Sequence, residues 1–196
     1  MKRLISVLLI IFGIGVFTYP YINAKIEKLE TNKNINEWNK EKTKFKTNIN
    51  GNSSDMKNNT SNSLTINDKS IVGKIIVLKT KEQIPIIKGA TKENLRNGAT
   101  LYDNGIYPGD NGTAIILGHR ETSFEFLENV KIDDEIEIET LTDKYKFKLE
   151  KTYIVKPDDP LILEQEDHPS VTLDTCYPFQ HFGGTPNRFI AKYKLI

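Results

Sequence analysis

The sequence predicts an all-β fold, either a β-sandwich or a closed β-barrel, that follows an N-terminal membrane anchor. Three observations predict it. An uncharged apolar run begins at residue 4, a polar stretch follows it, and from Ser63 onward short apolar runs alternate with turn residues. Many short strands with little helix are typical of sandwiches and barrels.

The anchor is predicted from residues 4–22, which carry no charge and are rich in Leu, Ile, Val and Phe. At 1.5 Å per residue a helix of this length spans about 28 Å, close to the roughly 30 Å hydrocarbon core of a bilayer. The exit around Tyr19–Ala24 lacks a good cleavage site and carries interfacial aromatics, which favours an uncleaved anchor over a signal peptide. Because Lys2 and Arg3 precede the run, we expect a cytoplasmic N-terminus and an extracellular domain.

Residues 25–62 are predicted to form a flexible polar tether. Asn, Lys, Ser and Thr dominate this stretch, and its few apolar residues are too sparse for a core, although they could form a short helix after the membrane. Such a segment buries too little apolar surface to offset the entropy of ordering it. The predicted organisation is therefore an anchor over 1–24, a tether over 25–62 and a folded domain over 63–196.

Within the domain, alternation of apolar and polar residues over 135–139 and 145–149 predicts an antiparallel hairpin with one solvated face. Short helices are predicted over 91–97, with Thr91 as the N-cap, and over 123–129. The predicted strands are Val72–Leu78, Ile84–Ile87, Thr113–Leu117, Glu135–Thr140, Lys144–Lys156, Ser170–Asp174 and Arg188–Leu195.

Charge and cysteine content exclude several classes of protein. The 27 Lys and Arg residues nearly balance the 26 Asp and Glu residues, and no basic stripe appears, which argues against nucleic-acid binding. The single cysteine, Cys176, excludes an intramolecular disulfide framework and any Cys-cluster metal site. The three histidines are enough in number for an all-His metal site, but no motif spacing supports one.

Cys176 is the first candidate for chemistry, because it ends an apolar strand just before a Pro-containing loop. A free cysteine is often a buried small hydrophobe, but an unpaired thiol outside the cell is an oxidation liability, so both interpretations stay open. A cysteine nucleophile needs a partner, since only a few per cent of an ordinary thiol is ionised at neutral pH. His119 also ends an apolar strand and could be that partner, whereas His168 and His181 are predicted to be solvated loop residues. Arg188, at the start of the last strand, is the third candidate.

These three residues together resemble a known family, the sortases, which are membrane-anchored cysteine transpeptidases of Gram-positive cell surfaces. Thr172-Leu173-Asp174-Thr175-Cys176 matches their T-L-x-T-C signature, and Gly118-His119-Arg120 resembles their histidine motif. Arg188, twelve residues after the cysteine, falls where the family places its arginine. The resemblance covers about residues 72–196, and Cys176-Tyr177-Pro178-Phe179 with Gly184-Thr185-Pro186-Asn187-Arg188 is most similar to class D. Val77-Leu78 departs from the family's usual Ile-Pro, outside the expected site.

The resemblance implies an eight-stranded sortase-type barrel and a transpeptidase. Cys176 would cleave a sorting signal of the Leu-Pro-x-Thr-Gly type after its threonine and form a thioacyl intermediate. His119 would move protons to and from the two amines, and Arg188 would hold substrate carbonyls and the oxyanion. Segment 155–169 would cover the groove for the Leu-Pro part. The expected substrate-binding residues are Leu161, Ile162, Leu163 and Thr175.

The implied partners are proteins with such sorting signals and an amine acceptor, either a peptidoglycan precursor or another amine. No cofactor is expected. A Ca²⁺ site, as in some sortases, is the alternative for the acidic residues of the same segment, but a solvated loop is favoured. These residues are Asp158, Asp159, Glu164, Glu166 and Asp167. Two rival functions remain: a cysteine peptidase that transfers to water, and a non-catalytic anchored β-domain used for binding.

Overall fold

The structure, a computed structural model, describes residues 2–51, 62–180 and 184–196. Within these ranges the α-helices are α1 (Lys2–Gly51) and α2 (Lys92–Leu95). Short 3-10 helices cover Glu125–Asn129 and Pro160–Leu163. The strands are β1 (Leu64–Ile66), β2 (Lys69–Val77), β3 (Gln83–Lys88), β4 (Ala99–Leu101), β5 (Thr113–Leu117), β6 (Glu135–Thr140), β7 (Lys144–Val155), β8 (Ser170–Tyr177) and β9 (Asn187–Leu195).

Eight of the described strands close into a barrel, as the resemblance to sortases implies. Their order is β2-β3-β4-β5-β8-β9-β7-β6, and β6 pairs back onto β2 in antiparallel register. Gly73 lies at this closure, where an added Cβ would come 2.6 Å from the carbonyl oxygen of Glu139, so a side chain there would force the two strands apart. β1 is an additional strand that pairs with the start of β2.

The barrel interior is filled by the inward-facing side chains of its strands. Ile75, Ile138, Leu149 and Leu173 are fully buried there, and Tyr193 is 1% exposed. The alternation that predicts the β6–β7 hairpin places Ile136 and Ile138 inside this core, and Glu139 pairs with Lys144 at its turn. The prediction of an antiparallel hairpin is confirmed.

Some elements differ from the sequence prediction. β1 and β4 were not predicted, because three residues are too few to show a periodic pattern. β8 continues to Tyr177, so Cys176 lies inside the strand and not just beyond it. Thr91 caps α2 as predicted, accepting a hydrogen bond from the backbone N–H of Asn94.

Helix α1 differs from the predicted flexible tether, because it runs unbroken from the apolar run to Gly51. It is the one helix in the described parts of the chain whose length and composition would allow it to cross a membrane. The side chain of Trp38 on α1 has no exposed surface, since it packs against Ile66, Ile71, Ile87 and Leu141 on the outside of the barrel. The domain boundary at residue 63 stays a prediction, and residues 52–61 lie outside the described ranges.

A buried polar cluster adds to the contact between α1 and the barrel. The Glu139 carboxylate lies 3.3 Å from Lys42 Nζ of α1 and 3.6 Å from Lys74 Nζ of β2. Lys74 Nζ also donates to Asn39 Oδ1 at 2.6 Å. Because the side chains of both lysines are less than a tenth exposed, the carboxylate between them neutralises charges that would otherwise be buried without a partner.

Candidate active site

Three adjacent strands bring His119, Cys176 and Arg188 to one end of the barrel. β5 and β8 are parallel, with Leu117 opposite Asp174, and His119 and Cys176 each lie two positions further along the chain. On the other side of β8, Arg188 is the antiparallel partner of Cys176. Since neighbouring strands are about 4.8 Å apart, this register places the backbone of His119 on one side of Cys176 and that of Arg188 on the other.

Arg188 holds a fixed position beside the thiol. Its Nε donates to Asp174 Oδ1 at 2.8 Å and its Nη2 donates to Asp174 Oδ2 at 2.7 Å. The remaining nitrogen, Nη1, donates to Cys176 Sγ at 3.3 Å. Asp174 precedes Cys176 by two residues, so both side chains project from the same face of β8 and one guanidinium spans them.

The electrostatics of this trio keep a positive charge beside the sulfur. Asp174 is 1% exposed, and burial raises the pKa of its carboxyl group, while Arg188 acts in the opposite direction. Burial by itself lowers the pKa of Arg188, but the contacts with Asp174 and Cys176 outweigh it and raise that pKa above its ordinary value. Arg188 is therefore charged at every physiological pH.

Gly118, the residue before His119, makes two hydrogen bonds to β8, one as donor and one as acceptor. Gly118 donates its N–H to the carbonyl oxygen of Asp174 at 3.1 Å, and Thr175 Oγ1 donates to the carbonyl oxygen of Gly118 at 2.7 Å. An added Cβ at Gly118 would lie 2.7 Å from the ring of Phe124, so glycine lets that ring pack against the chain just before His119. These contacts hold the histidine segment in register with the cysteine strand.

Arg120 makes a further connection between the two motifs. It is 5% exposed, and its Nη1 donates to the carbonyl oxygen of Pro178, two residues after Cys176. Its Nε donates to Glu121 Oε1 at 2.6 Å. Arg120 therefore links the segment after His119 to the loop after Cys176.

The four expected substrate-binding residues differ in exposure and surroundings. Thr175 is fully buried, and its hydroxyl is used in the bond to Gly118. Ile162 is 9% exposed, whereas Leu163 is 48% exposed. Leu161 lines a cavity of about 330 Å³ together with Thr172 of β8 and Lys192 of β9. Thr172, Asp174 and Cys176 alternate along β8, so this cavity lies on the same strand face as the thiol.

The acidic residues of the same segment contact a lysine. Lys192 Nζ pairs with Glu164, and it lies 3.5 Å from Glu166 Oε1. Among the described residues there is no group of three or more His, Cys, Asp or Glu side chains that could hold a metal ion. His168 is half-exposed and contacts Asp167 Oδ1 at 3.0 Å through Nδ1, and His181 lies outside the described residues.

Sequence reasoning missed two residues of this site. Asp174 occupies the variable position of the five-residue signature, and its spacing of two from Cys176 is the signal that both side chains share a strand face. Arg120 adjoins the histidine, but no local pattern shows that its guanidinium reaches Pro178, because that contact joins residues 58 positions apart.

Comparisons with known proteins agree with this geometry. Residues 75–196 match the family model described as the sortase domain. The chain is 30% identical over 125 residues to Sortase D of Bacillus subtilis (strain 168), covering 63% of each chain. It is 24% identical over 117 residues to Sortase A of Bacillus anthracis, covering 57% of this chain and 55% of the relative. The chain thus spans less than two thirds of the length of these curated relatives.

Solved structures show the same fold. A Clostridium perfringens Sortase D5 transpeptidase superposes with a TM-score of 0.59 at 26% identity, covering 89% of this chain and 98% of the other. A sortase A of Listeria monocytogenes superposes with a TM-score of 0.58 at 25% identity, covering 64% of this chain and 87% of the other. The similarity to Sortase D and Sortase D5 agrees with the class D resemblance of the motifs.

Proposed function

This chain belongs to the sortase family, and from that premise we propose that it is a membrane-anchored cysteine transpeptidase with Cys176, His119 and Arg188 as its catalytic residues. The observation that carries the proposal is the guanidinium of Arg188, which is fixed by Asp174 and donates to Cys176 Sγ at 3.3 Å. The guanidinium is a permanent cation beside a partly exposed thiol, which is the kind of surrounding expected for a cysteine nucleophile.

In the first half-reaction the thiolate attacks the carbonyl carbon of the threonine in a sorting signal. The tetrahedral intermediate collapses when the C–N bond breaks, and the imidazolium of His119 gives its proton to the leaving amine. The product is a thioester between the donor protein and Cys176. Arg188 stabilises the negative charge that develops on the carbonyl oxygen.

In the second half-reaction a primary amine attacks the thioester. The C–S bond breaks as the new C–N bond forms, the thiolate is regenerated, and neutral His119 takes the proton that the amine loses. The donor protein leaves with a new amide bond. His119 and Cys176 return to their starting protonation states.

The donor is a protein that carries a sorting signal of the Leu-Pro-x-Thr-Gly type. Its Leu-Pro part would occupy the strand face that Leu161 and Thr172 line, beside the thiol. The acceptor is a cell-wall amine. The apolar start of α1 would anchor the enzyme with its N-terminus in the cytoplasm, so that the barrel works on the outer surface.

The deciding experiment measures cleavage of a fluorogenic sorting-signal peptide by the full-length protein in detergent micelles. Cys176→Ala should abolish both cleavage and transfer to an added amine, because no other thiol exists in the chain. Its melting temperature should stay within a few degrees of the wild type, since Cys176 is only partly buried. Retained turnover by Cys176→Ala would exclude the cysteine mechanism.

The same assay separates the two rival functions. A peptidase that transfers to water would give only the hydrolysed peptide in the presence of an amine, whereas a transpeptidase also gives the ligated product. A non-catalytic binding domain would give neither product. An inert buried cysteine would also resist a small alkylating reagent that a reactive Cys176 accepts.

A further inference from the structure

Helix α1 contacts the barrel at two places that are far apart along the helix. In its first half, Lys28 Nζ lies 3.5 Å from Glu125 Oε2, in the segment that follows His119. In its second half, Lys42 Nζ lies 3.3 Å from Glu139 Oε1, near the turn between β6 and β7. The position of each contact on the barrel therefore shows which end of the barrel each half of the helix meets.

The first contact lies at the candidate active site. Glu27 on α1 is half-buried and interacts electrostatically with His119. Gln180, four residues after Cys176, donates through Nε2 to Glu128 Oε1 at 2.7 Å, on the 3-10 helix that follows His119. The segments that follow His119 and Cys176 therefore both lie at the end of the barrel that the first half of α1 meets.

The second contact lies at the opposite end of the barrel. Strand β7 begins at Lys144, just after the β6–β7 turn that Lys42 approaches, and it ends at Val155, which is paired with Arg188. This strand has 12 residues, and at 3.3 Å per residue it is about 40 Å long. The β6–β7 turn and the candidate site are therefore separated by the length of β7.

The two contacts lie at different distances from the predicted membrane span, which ends at Ile22. Lys28 follows Ile22 by six positions and Lys42 follows it by twenty, which is about 9 Å and about 30 Å along a helix. Between them, the fully buried side chain of Trp38 packs α1 against the barrel, so the unbroken helix and the barrel move together. A helix tilt of about 20°, the usual value in membranes, keeps the order of the two contacts.

We propose that α1 turns the end of the barrel that carries His119, Cys176 and Arg188 toward the bilayer, so that the site opens onto the membrane surface. The proposal rests on the membrane anchoring included in the proposed function. The partner of this end of the barrel is the lipid surface. The parts that face it are the 3-10 helix after His119, the loop after Cys176 and the turn between β2 and β3, which lies beside Lys28. Substrates therefore reach the site from the space between the barrel and the lipid headgroups.

The test measures how close each end of the barrel lies to the lipid headgroups. The full-length protein is reconstituted into vesicles, and energy transfer is measured from a dye on the protein to an acceptor dye on the headgroups. Both dye positions are introduced into Cys176→Ala protein, which has no other thiol. Gln180→Cys labels the site end, and Thr142→Cys, in the β6–β7 turn, is the matched control at the opposite end. Both side chains are exposed, so a dye should not disturb the fold.

Energy transfer should be at least about twofold more efficient from Gln180→Cys than from Thr142→Cys, because the two contacts on α1 differ by about 21 Å along the helix. A flexible Gly-Ser segment inserted between Ala24 and Lys25 should make the two efficiencies nearly equal, because the barrel can then rotate above the bilayer. Circular dichroism and a thermal melt check that the labelled proteins keep the fold.

Equal efficiencies for the two dyes without the insertion, or a higher efficiency from Thr142→Cys, would overturn the proposal. A difference that persists unchanged after the insertion would also overturn it, because α1 would then not set the orientation. Labelled proteins that fail to float with the vesicles would instead contradict the membrane anchoring in the proposed function. Neither labelled protein keeps the Cys176 thiol, so the result does not depend on the proposed reaction, and the failures are distinguishable.

Discussion

The side chain of Arg188 bonds both Asp174 and Cys176, which lie 14 and 12 positions before it in the chain. Two of its nitrogens are occupied by Asp174, and this bidentate pair fixes the plane of the guanidinium, so that the third nitrogen meets Cys176 Sγ. Asp174 touches neither the sulfur nor, in the proposed mechanism, the substrate. We therefore assign Asp174 a positioning role: it holds the guanidinium of Arg188 beside Cys176 Sγ.

Arg188→Lys should lower kcat/KM for a sorting-signal peptide at least about tenfold, or roughly 1.4 kcal/mol. A lysine ammonium carries the charge, but it cannot reproduce the planar fork that bonds Asp174 and reaches Sγ together. The fold should remain intact, which circular dichroism and a thermal melt can check.

Arg120→Lys is the comparison for that variant. Because Arg120 is buried and bonds the carbonyl oxygen of Pro178, lysine can keep one such bond, and we expect a smaller loss of kcat/KM. Equal losses for the two variants would contradict the larger catalytic role assigned to Arg188, and a larger loss for Arg120→Lys would give that role to Arg120.

At the scale of elements, the pairing of β5 with β8 positions the candidate site, and the packing of α1 on the barrel fixes the helix. The parallel pair of β5 and β8 places the two motifs at the same end of neighbouring strands, because the carboxyl ends of parallel strands meet at one edge. Helix α1 is held against the outside of the barrel by Trp38 and by the Lys42–Glu139 pair. The polar segment after the apolar run is therefore part of the folded unit over at least these residues.

Trp38→Ala should lower the free energy of unfolding by about 3–5 kcal/mol, the usual cost of removing a large buried aromatic side chain. Urea denaturation followed by fluorescence of labelled protein or by circular dichroism measures it.

Deleting residues 1–62 removes the contact of Trp38 with the barrel, whereas deleting residues 1–24 keeps it. The shorter protein should therefore melt at least about 6 °C below the longer one; equal melting temperatures would mean that α1 adds no stability to the barrel.

At the scale of the whole molecule, one helix connects the apolar run to the barrel. Among the side chains of α1 whose burial the structure describes, Thr31 is the first that is buried, and it lies nine positions after Ile22, the last residue of the predicted membrane span. Nine residues of helix measure about 14 Å. If the apolar run spans the membrane, the barrel is held at a short and fixed distance from the bilayer, and not on a long flexible tether.

Inserting ten Gly and Ser residues between Ala24 and Lys25 should leave cleavage of a soluble peptide within about twofold of the wild type. Cleavage of a donor protein anchored in the same vesicles should fall at least about twofold, because a flexible connection lowers the effective concentration of the site near the membrane. Both rates are measured in reconstituted vesicles with the same protein density. An unchanged rate on the anchored donor would show that the rigid connection has no role in substrate access.

The amino-acid sequence by itself determined the all-β class, most of the strands and the β6–β7 hairpin, because these depend on local alternation of apolar and polar residues. It also predicted Cys176, His119 and Arg188 as the candidate catalytic residues, because each belongs to a recognisable motif. Only the tertiary structure decided that Asp174 holds Arg188 in place, that the Thr175 hydroxyl donates to the carbonyl oxygen of Gly118, and that Trp38 joins α1 to the barrel. The first two contacts join residues that are 14 and 57 positions apart in the chain, and the third joins a helix to the outside of the barrel. A local sequence pattern does not show which distant residue a side chain will meet.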